Sequence, residues 1–299
     1  MNVVLNAHGG GGKLTEELIK EVFIDKYNNS ILSDMEDSAV VNITCPNIAF
    51  TTDSYTVKPL FFPGGDIGRL AISGTVNDLL MRGAVPVFLS VSFIIEEGFR
   101  IDDLKVIASS MASTCQEAGV KIVAGDTKVV PRDEADGLFV NTSGIGFVPQ
   151  GVNISIKNAR VGDSIIISGT IGDHGMAVLS SREDFTFEPP VESDCAPLVD
   201  IVSMLLKFKE AVRVMRDPTR GGVAEVLYNI SEASCVGIEI YEEKLPAKPQ
   251  VISACEMLGL DFLQLANEGK FITVVESSKS EEILKEIRKC RYGHDAAII

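Results

Sequence analysis

Phe61-Phe62-Pro63-Gly64-Gly65-Asp66-Ile67-Gly68-Arg69-Leu70-Ala71-Ile72-Ser73-Gly74-Thr75-Val76-Asn77-Asp78-Leu79-Leu80-Met81-Arg82-Gly83-Ala84 is the stretch on which the reading of the fold turns. Pro63-Gly64-Gly65 supplies a turn, and Asp66 supplies an N-cap whose carboxylate can accept the first free N–H groups of a helix. The run that follows is mostly apolar and reads as that helix. Asn77-Asp78 sits inside it. An ionised carboxylate costs several kcal/mol to bury unless it is paired or holds a metal. Asp78 is therefore expected to face a charged partner brought from elsewhere in the chain.

Length and composition frame the search for that partner. With 299 residues, the chain is expected to make two domains, 1–150 and 151–299, with the junction over 149–163. An apolar fraction of 45% with 23% charged residues suits a soluble globular protein with a sizeable core. No apolar run reaches the ~18 residues of a membrane-crossing helix, and Met1 to Asn6 is too short and uncharged for a signal peptide. A cytoplasmic protein without a membrane partner is expected. The net charge of −15 argues against a nucleic-acid partner, which rewards clustered Lys and Arg, and suits cations. Cys45, Cys115, Cys195, Cys235, Cys255 and Cys290 are scattered with no C-x-x-C pair, so all six read as reduced thiols rather than as zinc ligands or disulfides.

Hydropathy patterning predicts strands over 39–43, 48–52, 85–95, 120–124, 138–148, 164–168, 236–241 and 271–275, with a further strand starting at 296. Helices are expected over 14–23, 66–82, 101–118, 175–181, 198–208, 221–233 and 281–289, and an acidic, proline-containing loop over 183–195. Strands and helices mix without strict alternation, and several neighbouring strands are expected to be joined by short turns, which favours antiparallel pairing and gives an α+β class.

Several carboxylates fall at expected strand ends or helix starts: Asp37, Asp53, Asp126 in Gly125-Asp126-Thr127-Lys128, and Asp217 in Asp217-Pro218-Thr219-Arg220-Gly221-Gly222. Such positions converge on one sheet edge, where ligand sites form. Asp37, Asp53, Asp78 and Asp217 together suit Mg²⁺ held with phosphate oxygens. Each taken singly also reads as a cap or turn Asp. For Asp217, with Pro218 at a typical N1 position, the cap is the better reading; for Asp78 it is the weaker one. Gly9 to Gly12 followed by Lys13 lets backbone N–H groups approach an anion beside a cation, but it is not a Walker loop. Arg220-Gly221-Gly222 is a second anion candidate, at a helix N-terminus. Lys128 and Arg69 can neutralise phosphate charge or simply be solvated. Glu268 in Asn267-Glu268-Gly269-Lys270 reads as a turn residue before it reads as a general base. His8 has a functional claim beside the glycine run, and His174 reads as exposed behind an Asp173 cap.

Taken in order, His8-Gly9-Gly10-Gly11-Gly12-Lys13, Thr51-Thr52-Asp53-Ser54, Phe61 to Gly68, Gly74-Thr75-Val76-Asn77-Asp78-Leu79, Gly125 to Lys128, Gly172 to Gly175, Asp217 to Gly222 and Asn267 to Lys270 resemble the HypE family of hydrogenase maturation proteins. These are ATP-dependent members of the PurM-like, AIR synthase-related class, and the resemblance runs along essentially the whole chain. It implies two α+β domains, the first pairing with its copy in a second subunit as a β-barrel homodimer. It implies ATP and Mg²⁺ as cofactors. Asp37, Asp53, Asp78 and Asp217 would serve Mg-ATP, with Gly10, Gly11, Lys13, Arg69, Asp126, Thr127, Arg220 and Gly221 around the nucleotide. Lys128, Glu268 and Asp78 would be the catalytic candidates. The implied activity is ATP-dependent dehydration of a carbamoyl group on a C-terminal cysteine to a thiocyanate. That group supplies the cyanide ligands of [NiFe]-hydrogenase, with the carbamoyltransferase HypF and a HypC–HypD complex as partners. The family closes on Pro-Arg-Ile-Cys. The residues up to Ile299 lack that motif and Cys290 does not fit it, so the tail is expected to be missing from the sequence and no residue is assigned as carbamoyl acceptor. The alternatives are a non-catalytic assembly scaffold, or a related enzyme such as selenophosphate synthetase, whose N-terminal glycine loop carries a Cys or selenocysteine absent here. A thiamine-phosphate kinase would share the aspartates but not the Phe61–Gly68 segment.

Overall fold

The computed structural model describes residues 3–9, 13–27, 29, 31, 47–182 and 187–299. Gly10, Gly11, Asp37, Cys45 and the strand expected over 39–43 lie outside these residues. The first sheet holds β1 (Ile48–Tyr55), β4 (Val85–Glu96), β5 (Lys121–Val130) and β6 (Leu138–Phe147) in the order β1-β6-β4-β5. Between β1 and β4 a small hairpin joins β2 (Phe61–Phe62) to β3 (Gly65–Asp66) through the Pro63-Gly64 turn. The second sheet holds β7 (Ser164–Ile167), β8 (Val212–Arg216), β9 (Ile272–Val275) and β10 (Ala297–Ile298) in the order β10-β7-β9-β8, antiparallel throughout.

The α+β class is as expected, but short turns do not build the first sheet. β4 and β5 pair in parallel across the Ile101–Ala118 helix, and β6 inserts antiparallel between β1 and β4. The parallel pair needs a crossover, which that helix provides. Gly119 ends it in the left-handed region at φ +69°. The expected strand over 236–241 is absent: Val236, Ile238 and Ile240 alternate inward against the second core without pairing to a neighbour. β8 and a helix at Pro249–Leu258 are additions that the pattern did not reveal; β8 has only five residues, and the helix begins on a proline at N1.

The decisive helix runs Ile67–Met81. Asp66 caps it as expected, its carboxylate accepting the N–H groups of Gly68 and Arg69. Every residue of the helix is buried except Arg69 and Asp78. One side packs on the inner face of the first sheet, where Leu89, Val91, Phe93 and Ile95 are buried, and the other on the second half of the chain. Ile67, Ile72 and Leu79 are fully buried, each worth about 1.5–3 kcal/mol. That gain holds a helix with two charged interruptions in the middle of the molecule. Among the described residues no helix is long and apolar enough to cross a membrane, and Cys115, Cys195, Cys235, Cys255 and Cys290 are free thiols.

Candidate active site

Side chains alternate along β1, so Thr51, Asp53 and Tyr55 turn toward the Ile67–Met81 helix. Asp78 leaves that helix beside them and accepts a hydrogen bond from Thr51 Oγ1 at 2.9 Å. The loop after β8 brings Asp217, Thr219 and Arg220 to the same place. Arg220 Nη2 meets Asp53 Oδ1 at 3.2 Å. The loop before β9 adds Glu268. Two clefts open here, of 440 Å³ and 530 Å³, and Asp53, Asp78, Asp217, Thr219 and Arg220 line both. Arg216, Glu225 and Asn229 line the first cleft only; Tyr55, His174, Leu265 and Glu268 line the second only.

Three of these carboxyls, Asp78, Asp217 and Glu268, hold their protons more tightly than usual. Burial pushes the Asp217 carboxyl up to about 7, and the Asp78 charge adds to the shift. Burial raises Glu268 well above the usual carboxylate range, with Asp217 and Asp194 contributing. Burial also raises Asp78, although the Thr51 hydrogen bond works against it. Such a site is short of positive charge. Among the described residues no three Asp, Glu, His or Cys side chains close on a metal by themselves. An all-oxygen donor set with raised carboxyls therefore fits a hard cation that takes its remaining ligands from phosphate or water.

Loop geometry is as exacting as the charges. Gly222 opens the Gly222–Ser234 helix at φ +64°, and a Cβ there would strike the backbone of Leu263 to Leu265. Asn267, fully buried, accepts the Gly172 N–H at 2.8 Å and donates to the Pro218 and Leu265 carbonyls, tying the Glu268 loop to the Asp217 loop.

Several expected site residues stand elsewhere. Arg69 is consumed by structure: its guanidinium meets Glu117 at 2.9 Å, the Cys195 carbonyl at 2.8 Å and the Tyr292 hydroxyl at 3.3 Å. Lys13 is exposed, 3.6 Å from Glu17, and lines neither cleft. Asp126, Thr127 and Lys128 do not follow a strand but lie inside β5. Register puts Gly125 in the row of Val91, Thr142 and Asp53, so Asp126 and Lys128 point to the opposite, outer face. Three strand spacings also separate β5 from β1, about 14 Å. Gly221 caps the Gly222–Ser234 helix at φ +69° beside Arg220. His8 is buried, and its Nδ1 accepts the Leu5 N–H at 2.9 Å. His174 is buried rather than exposed, 2.9 Å from Ser193 Oγ and edge-on to Phe62. Thr51, quoted only as part of Thr51-Thr52-Asp53-Ser54, and Arg216 and Asp194 carry no site role in the sequence reading. Only Thr51, next to Thr52-Asp53 on an alternating strand, carried a signal that could have found it.

The chain's two halves match a known class of domains. The AIR synthase related protein N-terminal domain matches residues 35–148, and the corresponding C-terminal domain matches residues 160–299. A carbamoyl dehydratase HypE of Bradyrhizobium diazoefficiens is 48% identical over 98% of this chain and 85% of its own length. The crystal structure of a hydrogenase maturation protein HypE in complex with ATP superposes with a TM-score of 0.96 at 45% identity, covering 99% of this chain and 88% of that one. A HypE–HypF complex matches at 60% identity and a TM-score of 0.84, over 94% of this chain and 92% of that one. The chain belongs to the HypE family of AIR synthase-related proteins.

Proposed function

We propose that the protein is an ATP-dependent carbamoyl dehydratase that turns an S-carbamoyl cysteine into a thiocyanate for the cyanide ligands of [NiFe]-hydrogenase. The observation that carries this reading is the convergence of Asp53, Asp78 and Asp217 where the two clefts meet, with Glu268 lining the second of them, in a chain so close to a carbamoyl dehydratase. An amide oxygen is a poor leaving group and phosphate a good one. The carbamoyl oxygen attacks the γ-phosphorus of ATP, ADP departs, and one N–H proton is lost. The resulting O-phosphoryl group then leaves as phosphate while the second N–H proton goes to a base and the C≡N bond forms. Carbamoyl thiol and ATP thus give thiocyanate, ADP and phosphate.

Glu268 is the base. The burial and neighbouring carboxylates that raise its pKa make its ionised form the stronger proton acceptor. Arg220 turns from Asp53 to the phosphates. Asp53, Asp78 and Asp217, with Asp37 outside the described residues, would hold Mg²⁺, which supplies charge shielding of the phosphoryl group when bound. The thiol is loaded by a HypF-type carbamoyltransferase, and the cyano group passes to a HypC–HypD complex, all in the cytoplasm.

The homodimer is built on the outer face of the first sheet. Ile48, Phe50, Val85 and Ile94 are exposed there, in register with Phe147, Ile145 and Phe139. Lys128 belongs to that face, which makes it a candidate for the partner subunit's site rather than its own.

The test is phosphate release from ATP with a Pro-Arg-Ile-Cys peptide carbamoylated on its thiol, read together with the loss of water from the peptide by mass spectrometry. Asp78→Asn should abolish both while melting at the wild-type temperature. Normal turnover by Asp78→Asn would overturn the metal-site assignment, and no dehydration by the wild type would overturn the function.

A further inference from the structure

We propose that Asn77 and Asp194 are positioning residues that clamp the backbone of Glu268, so that the helix presenting Asp78 also sets where the Glu268 carboxyl stands. Asn77 is 2% exposed, and among the described residues its side-chain hydrogen bonds all go to the second half of the chain. Its Nδ2 donates to the Ala196 carbonyl at 3.0 Å and to the Glu268 carbonyl at 3.3 Å, and its Oδ1 accepts the Leu198 N–H at 3.0 Å. Asp194 grips two successive N–H groups of the same stretch. Its Oδ1 accepts the Glu268 N–H at 3.1 Å and its Oδ2 the Gly269 N–H at 3.3 Å. Only glycine fits at 269, since a Cβ there would overlap the Asp194 carbonyl. Glu268 is therefore held at both its N–H and its C=O.

Asn77 and Asp78 are consecutive on one helix, about 100° apart around its axis. One turns into the second half of the chain, and the other turns into the clefts. A rigid helical step thus links the two carboxyls although they are 190 positions apart (268 minus 78). A misplacement of about 1 Å in a reacting group costs on the order of 100-fold in rate, and a carboxyl on an untethered loop would incur it.

This inference rests on Glu268 being the base, and a double-mutant cycle separates the two ideas. Turnover is measured with ATP and the carbamoylated Pro-Arg-Ile-Cys peptide for Asn77→Ala, Asp194→Asn, Glu268→Gln and the two doubles carrying Glu268→Gln. Asn77→Ala should lower kcat on the order of 10- to 100-fold with little change in the KM for ATP, and Asp194→Asn should do so more mildly because it keeps one acceptor oxygen. In the Glu268→Gln background either change should lose nearly all its effect. A loss of kcat that persists undiminished there, or an unchanged kcat with only a lower melting temperature, would overturn the clamp while leaving the base intact. Wild-type turnover by Glu268→Gln would overturn the base, and the clamp with it. If Asn77→Ala does not fold, the Asp194→Asn arm decides alone.

Discussion

Arg220 Nη2 stands 3.2 Å from Asp53 Oδ1, so the loop after β8 reaches across to the first sheet at the point where both clefts meet. The Arg220 side chain is 87% exposed, while Asp53 is 31% exposed.

An exposed ion pair of this kind contributes about 0.2–1 kcal/mol. Arg220→Ala should leave the melting temperature nearly unchanged and raise the KM for ATP on the order of 10-fold, as a charge-assisted phosphate contact is lost. A lower melting temperature with an unchanged KM would make Arg220 a tether only. Thermal melts and steady-state kinetics on one preparation decide between the two.

Asp217 predicts an unusual pH dependence. Its carboxyl is raised from 3.8 to about 7 by burial first and by Asp78 second. Between those values the folded chain keeps a proton that the unfolded chain releases, so the Asp217 contribution to stability is complete below the lower value and is lost as pH rises through the upper one. In the presence of a chelator the melting temperature should therefore show a fall across this interval that Asp217→Asn removes. An identical profile for Asp217→Asn and wild type would show that the group is ionised throughout.

Arg69 is expected to matter for stability rather than for nucleotide. It joins the Ile67–Met81 helix to Glu117 and to the Cys195 carbonyl, and Tyr292 and Arg291 also bond Glu117. Burial pushes the Glu117 carboxyl up, but the Tyr292 and Arg69 hydrogen bonds outweigh it and hold it below the usual range. Arg69→Ala should cost about 2–3 kcal/mol in denaturant unfolding, because half-buried partners are left unpaired. Arg69→Lys should recover only part, since an ammonium cannot reproduce the fork. The KM for ATP should stay at its wild-type value; a large rise would return Arg69 to the phosphate site.

Lys128 lies on the outer face of β5, opposite the face that carries the row of Gly125, Val91, Thr142 and Asp53. If it serves the partner's site, mixing inactive Lys128→Ala and Glu268→Gln proteins and letting subunits exchange should restore about a quarter of wild-type turnover, because half the dimers are mixed and each mixed dimer regains one site. No recovery after demonstrated exchange would place Lys128 in its own subunit's site or in none.

The helix of Ile67–Met81, its Asp66 cap, the long strand β4 and the Gly119 helix end were all legible from local patterns, because capping and periodicity are properties of neighbouring residues. So was the oddity of Asp78. What local patterns could not supply was partnership. Arg69 and Asp78 interrupt the same apolar helix as the only residues it does not bury, yet one is spent on Glu117 and the other faces Asp53 and Asp217. Their fates depend on what packs against each side of the helix, which is a long-range matter.

Strand parity shows the same division most sharply. By itself the sequence determined that Gly125-Asp126-Thr127-Lys128 adjoins a strand, and that its charges matched those expected around a nucleotide. Only the tertiary structure decided which way those charges point. The β4–β5 pairing slips by one residue between Leu89 and Ser90, so Leu89 faces Ile122 but Ser90 faces Ala124. Side chains alternate with a period of two, so that single extra residue in β5 inverts every position after it. It sends Asp126 and Lys128 to the outer face and leaves Gly125 in the row of Asp53. A bulge is a relationship between two strands, and neither strand's own sequence contains it.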